Sequence, residues 1–120
     1  MTIADRAVGG VIVLDLDGQL SFGDTAACLR EHLDSLLARD ETRIILNLGR
    51  LSTMDSCGLG EILRGQRMFQ QQGGDLRLVG VAANVHRTLE MTRVDSRLPT
   101  FDSEEVVVAS FDRSTDGQSP

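Results

Sequence analysis

The feature that most constrains the fold is a dense apolar run, Ile44-Ile45-Leu46-Asn47-Leu48, followed by a turn rich in small residues. From Arg43 to Leu48 the chain is apolar on both faces apart from Asn47, which is typical of a strand in the middle of a sheet with helices against it. The segment from Leu51 to Gly60 is then a strand-to-helix turn. The next helix is expected from about Ser56 to Gln72 and should project one stripe of side chains: Leu59, Ile62, Leu63, Gln66 and Phe69 or Gln70.

The segments before this strand indicate a hairpin and a helix. Ile3 to Ala7 and Val11 to Leu16 are strand patterns joined through Gly9-Gly10, and Asp17-Gly18 is expected to break the second strand. A helix capped by Thr25 or Asp24 should then run to about Arg39. Its buried stripe is expected to contain Leu29, Leu33, Leu36 and Leu37, with His32 at the surface or at the boundary of the stripe.

The later segments complete an alternating pattern. Asp75 to Val81 is expected to be a strand and Ala83 to Met91 a short helix with Val85 and Leu89 inward, while Asp102 and Glu105 form a capping pair for a last helix. Strands separated by helices predict an α/β domain, with a mixed sheet of four to five strands because of the hairpin, and about four helices. We expect residues 1–111 to form this domain and residues 112–120, which have nothing to bury, to form a disordered tail.

Composition excludes several classes of function. The net charge of -6 leaves no basic stripe for nucleic acid, so we expect no direct nucleic-acid binding. No apolar run approaches the length of a membrane span, and the N-terminus lacks a secretory apolar region, so we expect a cytoplasmic protein with no membrane partner. Cys28 and Cys57 lack metal-ligand spacing, which favours reduced thiols and predicts no metal site.

The turn from Asp55 to Gly60 is open to two interpretations. Asp55 or Ser56 could simply cap the helix, because Asp and Ser are the preferred residues at that position. Alternatively, a serine at the positive end of a helix, beside Gly58 and Gly60, is a plausible phosphate acceptor, since a phosphoryl group there would meet free N–H donors and the helix dipole.

Catalysis is the weaker functional hypothesis for this turn. Ser56 or Cys57 would be the nucleophile and His86 or His32 the base, but the Gly-x-Ser-x-Gly elbow is absent because Met54 stands at its first glycine position. The Lys-Ser/Thr ending of a nucleotide phosphate-binding loop is also missing. We therefore predict no enzymatic activity and no cofactor.

The residues of the turn also carry a family resemblance. Met54-Asp55-Ser56-Cys57-Gly58-Leu59-Gly60 resembles the Asp-Ser-Ser/Thr-Gly-Leu-Gly signature of STAS domains, specifically of the bacterial anti-sigma factor antagonists. The similarity extends over about nine-tenths of the chain. Four further segments resemble the family and occur in the same order as in the family: Gly18-Gln19-Leu20, Asn47-Leu48, Gly73 to Val79, and Phe101 to Glu105.

This resemblance implies both a mechanism and a set of partners. The unphosphorylated protein would bind an anti-sigma factor and release a sigma factor. The anti-sigma factor, itself a serine kinase, would phosphorylate Ser56, and a PP2C-type phosphatase would reset it. The implied partner surface contains Asp55, Ser56, Cys57 and Gly58, with Ser21 and Asp24 in the first loop, and we add the helical ridge of Glu61, Arg64 and Met68 that the helical wheel places opposite the Leu59 stripe.

Three positions depart from the family pattern. Ser21 stands where the family commonly has Asp, with Asp24 nearby, and Arg93 stands where it usually has Gly. Cys57 replaces a Ser or Thr, which leaves Ser56 as the principal hydroxyl at the start of the helix. The alternative function is a STAS module that binds another signalling scaffold or a transporter subunit and is not regulated by phosphate.

Overall fold

A computed structural model describes residues 1–91, 98 and 100–117, with side chains described as far as residue 111. The elements, in chain order, are β1 (Thr2–Val8), β2 (Val11–Leu20), α1 (Asp24–Ala38), β3 (Arg43–Met54), α2 (Ser56–Gln71), β4 (Asp75–Val79), α3 (Ala83–Met91), β5 (Thr100–Phe101) and α4 (Glu104–Gly117). The strands form one sheet in the order β1-β2-β3-β4-β5. Strand β1 is antiparallel to its neighbour, and the other pairs are parallel. The predicted α/β domain with a mixed sheet is therefore confirmed.

The central strand is β3, as the apolar run predicts. Ile44, Leu46 and Leu48 are fully buried in the larger core, beneath the helices α1, α2 and α3. Ile45 faces the other way, into a smaller core beneath α4 with Val107 and Phe111. Because both faces are covered, alternate residues of the strand are buried in different cores, as expected for a central parallel strand.

Two strands are longer than the sequence indicates. The prediction that Asp17-Gly18 ends β2 is wrong, because the strand continues to Leu20 in parallel with β3. The register between β2 and β3 shifts at these residues, and this irregularity accommodates Gly18, whose φ of 118° suits glycine. The hydroxyl of Ser52 donates a 2.9 Å hydrogen bond to the Gly18 carbonyl, and β3 itself continues to Met54.

The ends of the helices differ from the sequence predictions in two places. Gly23 precedes α1, and no side chain caps that helix; instead Thr25 Oγ1 accepts a hydrogen bond from the N–H of Ser21 (2.8 Å) and donates one to its carbonyl (2.9 Å). At α4 the cap is Ser103 rather than Asp102, because Ser103 Oγ accepts a hydrogen bond from the N–H of Val106 (3.2 Å). The predicted end of α2 at about Gln72 agrees within one residue with the observed end at Gln71.

Some predictions remain open at the end of the chain. Helix α4 includes residues 112–117, the first part of the predicted tail, and the domain limit at residue 111 stays a prediction. Residues 118–120 and Arg93 lie outside the described residues. Within the described ranges, no helix combines the length and apolar character needed to cross a bilayer.

Candidate functional site

The candidate site lies where β2 and β3 end side by side. The two strands are parallel, and Leu20, the last residue of β2, is in register with Met54, the last residue of β3. The connections to α1 and α2 therefore begin at the same edge of the sheet. The N–H of Asp55 donates a 3.1 Å hydrogen bond to the carbonyl of Leu20, which extends the pairing of the two strands by one residue into the turn.

Asp55 is the cap of α2 and also holds the neighbouring loop. Its Oδ1 accepts a 2.9 Å hydrogen bond from the N–H of Gly58, and its Oδ2 accepts one of 2.9 Å from the N–H of Phe22. These bonds favour the ionised carboxylate and lower the pKa of Asp55 below its ordinary value of 3.8, with the Gly58 bond the largest cause. One carboxylate thus fixes the start of α2 against the loop between β2 and α1.

Gly58 allows the helix to begin this close to β2. A Cβ at this position would lie 2.5 Å from Leu20 Cγ and 2.9 Å from the Leu20 carbonyl oxygen. A side chain would therefore push α2 away from the end of β2. At Gly60, two residues on, a Cβ would have no neighbouring atom within 4 Å, so the first turn of the helix is tight on one side and open on the other.

Ser56 is the first residue of α2, and its side chain is exposed, as is that of Cys57. Because Asp55 provides the cap, the Ser56 hydroxyl is not needed for that role, and it has no hydrogen-bond partner among the described residues. The capping interpretation is therefore confirmed for Asp55 and does not apply to Ser56. The hydroxyl stands beside the positive end of a helix and is accessible to solvent.

The loop between β2 and α1 is held at both of its first two residues. Ser21 is bonded to Thr25, and Phe22 donates its N–H to Asp55. The structure therefore brings Ser21 to the Ser56 turn, as expected for this loop, and places Asp24 at the exposed start of α1. Phe22 was not identified from sequence, although its side chain is 80% exposed. A single aromatic residue among the polar and small residues of a loop was the available signal.

Helix α3 also borders the site, which the sequence did not predict. The side-chain amide of Asn84 donates to the carbonyl of Ser52, and the hydroxyl of Thr88 donates to the carbonyl of Met54 at 3.4 Å. Successive turns of α3 thus contact alternate residues, Ser52 and Met54, near the end of β3. The helix runs beside the strand in the direction of Asp55 and Ser56.

The ridge of Glu61, Arg64 and Met68 does not face solvent alone, because α1 packs alongside it. Glu61 pairs with Arg30 of α1 at 3.3 Å, and Arg64 donates a 2.9 Å hydrogen bond to Asp34 of α1. Met68 is half-buried. The helical wheel places these residues away from the Leu59 stripe correctly but cannot show that a second helix lies there.

Among the described residues, both histidines are paired with carboxylates and neither is hydrogen-bonded to Ser56 or Cys57. His32 Nε2 lies 3.6 Å from the carboxylate of Asp5, and His86 Nδ1 lies 2.9 Å from that of Glu90. In the described part of the chain, no group of three or more His, Cys, Asp and Glu residues is arranged to hold a metal ion. What the turn offers is an exposed hydroxyl at a helix start.

A polar groove on the sheet face carrying α4 is another concave feature, and its central charges are satisfied within the protein. Arg6 bonds to both Asp15 and Glu104, and Asn47 donates a 2.8 Å hydrogen bond to Asp15. The Arg6 guanidinium is the largest influence on the pKa of Asp15 and lowers it. This network ties β1 and β2 to α4, so the Arg6 guanidinium does not require an external ligand.

Comparison with known proteins gives consistent matches. The STAS domain model matches residues 2–107. The anti-sigma F factor antagonist of Paenibacillus polymyxa is 34% identical over 96 residues, which are 79% of this chain and 81% of that protein. Similar in fold is the anti-sigma factor antagonist SpoIIAA in its unphosphorylated form, with a TM-score of 0.70 and 24% identity over 93% of this chain and 98% of SpoIIAA.

Two further structures show how widely this fold is used. Bacillus SpoIIAA in its phosphorylated form gives a TM-score of 0.70 at 22% identity, over 91% of this chain and 99% of that one. An anion transporter of the murine solute carrier 26 family gives 0.76 at 18% identity, and the match covers 90% of this chain but 18% of the transporter. At these identities, the structural likenesses show a shared fold alone.

Proposed function

The chain belongs to the STAS domain family, and we propose that it is an anti-sigma factor antagonist switched off by phosphorylation of Ser56. In the unphosphorylated state it binds an anti-sigma factor, which is also a serine kinase, and a sigma factor is released in the cytoplasm. The kinase transfers phosphate from ATP to Ser56, and a PP2C-type phosphatase removes it. The chain is the substrate in this cycle and needs neither a cofactor nor catalytic residues of its own.

The observation that carries this proposal is the division of roles between Asp55 and Ser56. Asp55 caps α2, so modification of the neighbouring hydroxyl removes no hydrogen bond that holds the fold. Ser56 is exposed and therefore accessible to a kinase. A phosphate at this position also lies at the positive end of the helix, which favours an anion by about 0.3–1 kcal/mol. We therefore expect the phosphorylated chain to stay folded.

The same phosphate opposes binding. It adds a charge of about −1.5 to −2 beside the carboxylate of Asp55. A partner that covers Ser56 would have to remove water from this dianion, at a cost of several kcal/mol unless it supplies matching positive charge. Phosphorylation therefore leaves the fold stable but weakens binding, which is what a binding switch requires.

The proposed partner surface is centred on the start of α2. Ser56 and Cys57 are exposed there, and Asp55 and Gly58 hold the backbone in place. Ser21 and Asp24 extend the surface into the first loop, and Glu61, Arg64 and Met68 extend it along the side of α2 that contacts α1.

A reconstituted kinase reaction tests the proposal. The partner that co-purifies with the chain from its native cell is identified by mass spectrometry, expressed, and incubated with ATP and the chain. We expect an anti-sigma factor that phosphorylates the wild type and not Ser56→Ala. Ser52→Ala and Thr53→Ala are matched controls, because both remove exposed hydroxyls just before the turn, and they should be phosphorylated normally.

Two results would contradict the proposal in different ways. Recovery of a transporter subunit or another scaffold, with no anti-sigma factor, would favour the alternative STAS function. Equal phosphorylation of Ser56→Ala and wild type would retain the antagonist role but place the acceptor elsewhere, with Ser52 and Thr53 the next residues to test.

A further inference from the structure

Three large apolar side chains are strongly exposed in the described part of the chain, and two of them belong to segments that contact the Ser56 turn or the end of β3 before it. They are Phe22 (80% exposed), Met91 (76%) and Val106 (48%). Val106 is on α4, which packs on the opposite face of the sheet from α1 and α2. The two are Phe22, in the loop before α1, and Met91, in α3.

Phe22 is presented to solvent on a backbone that is already ordered. Its own N–H is bonded to Asp55, and the residue before it is bonded to Thr25 in both directions. The phenyl ring is therefore exposed on a loop whose backbone is held in place by hydrogen bonds. Aromatic side chains on ordered backbone are effective interface anchors, because little conformational entropy remains to be lost when they bind.

Met91 is the last residue of α3, the helix that contacts the end of β3. Asn84 and Thr88 contact the carbonyls of Ser52 and Met54, so α3 advances along β3 toward Asp55. Met91 lies three residues beyond Thr88, or about 4.5 Å further along the helix axis. Met91 is thus in the turn of α3 that follows a contact with Met54, two residues before Ser56. Methionine is a flexible apolar side chain that adapts to a partner surface.

The surface between Phe22 and Met91 is neutral or internally satisfied. Ser56, Cys57 and Gly60 are exposed and uncharged, and each carboxylate oxygen of Asp55 already accepts a backbone N–H. A contact that encloses this surface would therefore be especially sensitive to a phosphate on Ser56.

We propose that Phe22 and Met91 are the apolar anchors with which the chain holds its anti-sigma factor, whose surface supplies an apolar recess for the phenyl ring. This inference rests on the proposed function and adds the chemistry of the interface to it. It also accounts for the effect of phosphorylation, because a dianion enclosed in a contact that the two apolar anchors hold together would have to be desolvated.

Binding measurements on four variants test this proposal. The purified anti-sigma factor identified by co-purification is titrated with wild type, Phe22→Ala, Phe22→Leu, Met91→Ala and Val106→Ala, without ATP. We expect Phe22→Ala to weaken binding at least about thirtyfold, as for a central anchor, and Met91→Ala about fivefold. Phe22→Leu should recover most of the affinity because it restores an apolar side chain. Val106→Ala, the matched control, should bind like wild type.

The outcomes separate this inference from the proposed function. If wild type binds the anti-sigma factor and Phe22→Ala binds equally well, the anchor proposal is overturned while the antagonist function stands. If wild type does not bind the anti-sigma factor, both fail. Denaturant unfolding of each variant is measured alongside, and we expect midpoints close to wild type because both side chains are exposed. The N–H of residue 22 can still bond to Asp55 in Phe22→Ala, so lost binding with an unchanged midpoint supports the side-chain anchor.

Discussion

The carboxylate of Asp55 joins the first turn of α2 to the loop before α1, because it accepts the N–H of Phe22 at 2.9 Å while it caps the helix through Gly58. Two segments that are 33 residues apart in sequence therefore share one hydrogen-bond acceptor. The proposed modification site, Ser56, follows that acceptor directly. The geometry of the partner surface thus depends on an interaction that phosphorylation of Ser56 does not have to break.

We predict that Asp55→Ala destabilises the fold by about 0.5–2 kcal/mol, the usual cost of removing a helix cap. The variant should also speed hydrogen exchange at the amide of Phe22, because that N–H loses its acceptor. Chemical unfolding and amide exchange provide the two measurements. An unchanged stability and an unchanged Phe22 exchange rate would show that the cap and the loop bond are unimportant in solution.

The pH dependence of stability should show the lowered pKa values of Asp55 and Asp15. Each group is more acidic in the folded chain than in the unfolded chain, so the unfolded chain binds more protons and stability falls with falling pH. The contribution is complete above the ordinary value of 3.8 and is lost as pH falls through the folded pKa values. Unfolding free energies measured from about pH 6 downward should therefore fall less steeply in Asp55→Asn than in wild type. Identical slopes would contradict the assignment.

Gly58 and Gly60 form a matched pair of positions in the same helical turn. Gly58→Ala should destabilise the chain by about 1–3 kcal/mol, because its Cβ would meet Leu20. Gly60→Ala should be neutral or stabilise the helix by up to about 1 kcal/mol, because the position is open and alanine is the better helix former. Equal effects of the two substitutions on the denaturant midpoint would contradict the close approach of α2 to β2.

Local sequence patterns predicted the parts of the fold that depend on neighbouring residues. The burial of Ile44 to Leu48, the α2 stripe and the hairpin at Gly9-Gly10 follow from periodicity and turn chemistry, and they are confirmed. Asp17-Gly18 looked like the end of a strand because the pairing that carries β2 past it comes from β3, which is distant in sequence. The short strand β5 was missed for the same reason, since two residues have no pattern of their own.

The candidate site shows the same limit. Asp55, Ser56 and Gly58 are contiguous or nearly so, and the sequence therefore identified them. Phe22 is held at the turn by a hydrogen bond to Asp55, and α3, which carries Met91, is held at the end of β3 by a hydrogen bond from Thr88 to Met54; no local pattern indicates those bonds.

Leu46→Ala should cost about 2–5 kcal/mol, because Leu46 is fully buried in the central strand and its truncation leaves a cavity. Thr53→Ala, at an exposed position of the same strand, should change stability by no more than about 0.5 kcal/mol. A denaturant midpoint for Leu46→Ala equal to that of Thr53→Ala would remove Leu46 from the core.

Met68→Ala tests whether the ridge of Glu61, Arg64 and Met68, beside α1, is part of the partner surface. Because Met68 is half-buried and remains partly accessible, we expect a loss of affinity for the anti-sigma factor of about fivefold. The free energy of unfolding should change by about 1 kcal/mol or less. A large loss of stability with unchanged affinity would assign Met68 to packing against α1 alone.

The most direct test of the account is the affinity of the anti-sigma factor for the chain with and without phosphate on Ser56. The two forms are separated, their modification is verified by mass spectrometry, and each is titrated with the anti-sigma factor in the absence of ATP. We predict closely similar unfolding midpoints and a loss of affinity of at least about a hundredfold on phosphorylation, because a dianion must be desolvated. Equal affinities would contradict the switch, and an unfolded phosphorylated chain would contradict the claim that phosphate acts on the interface rather than on the fold.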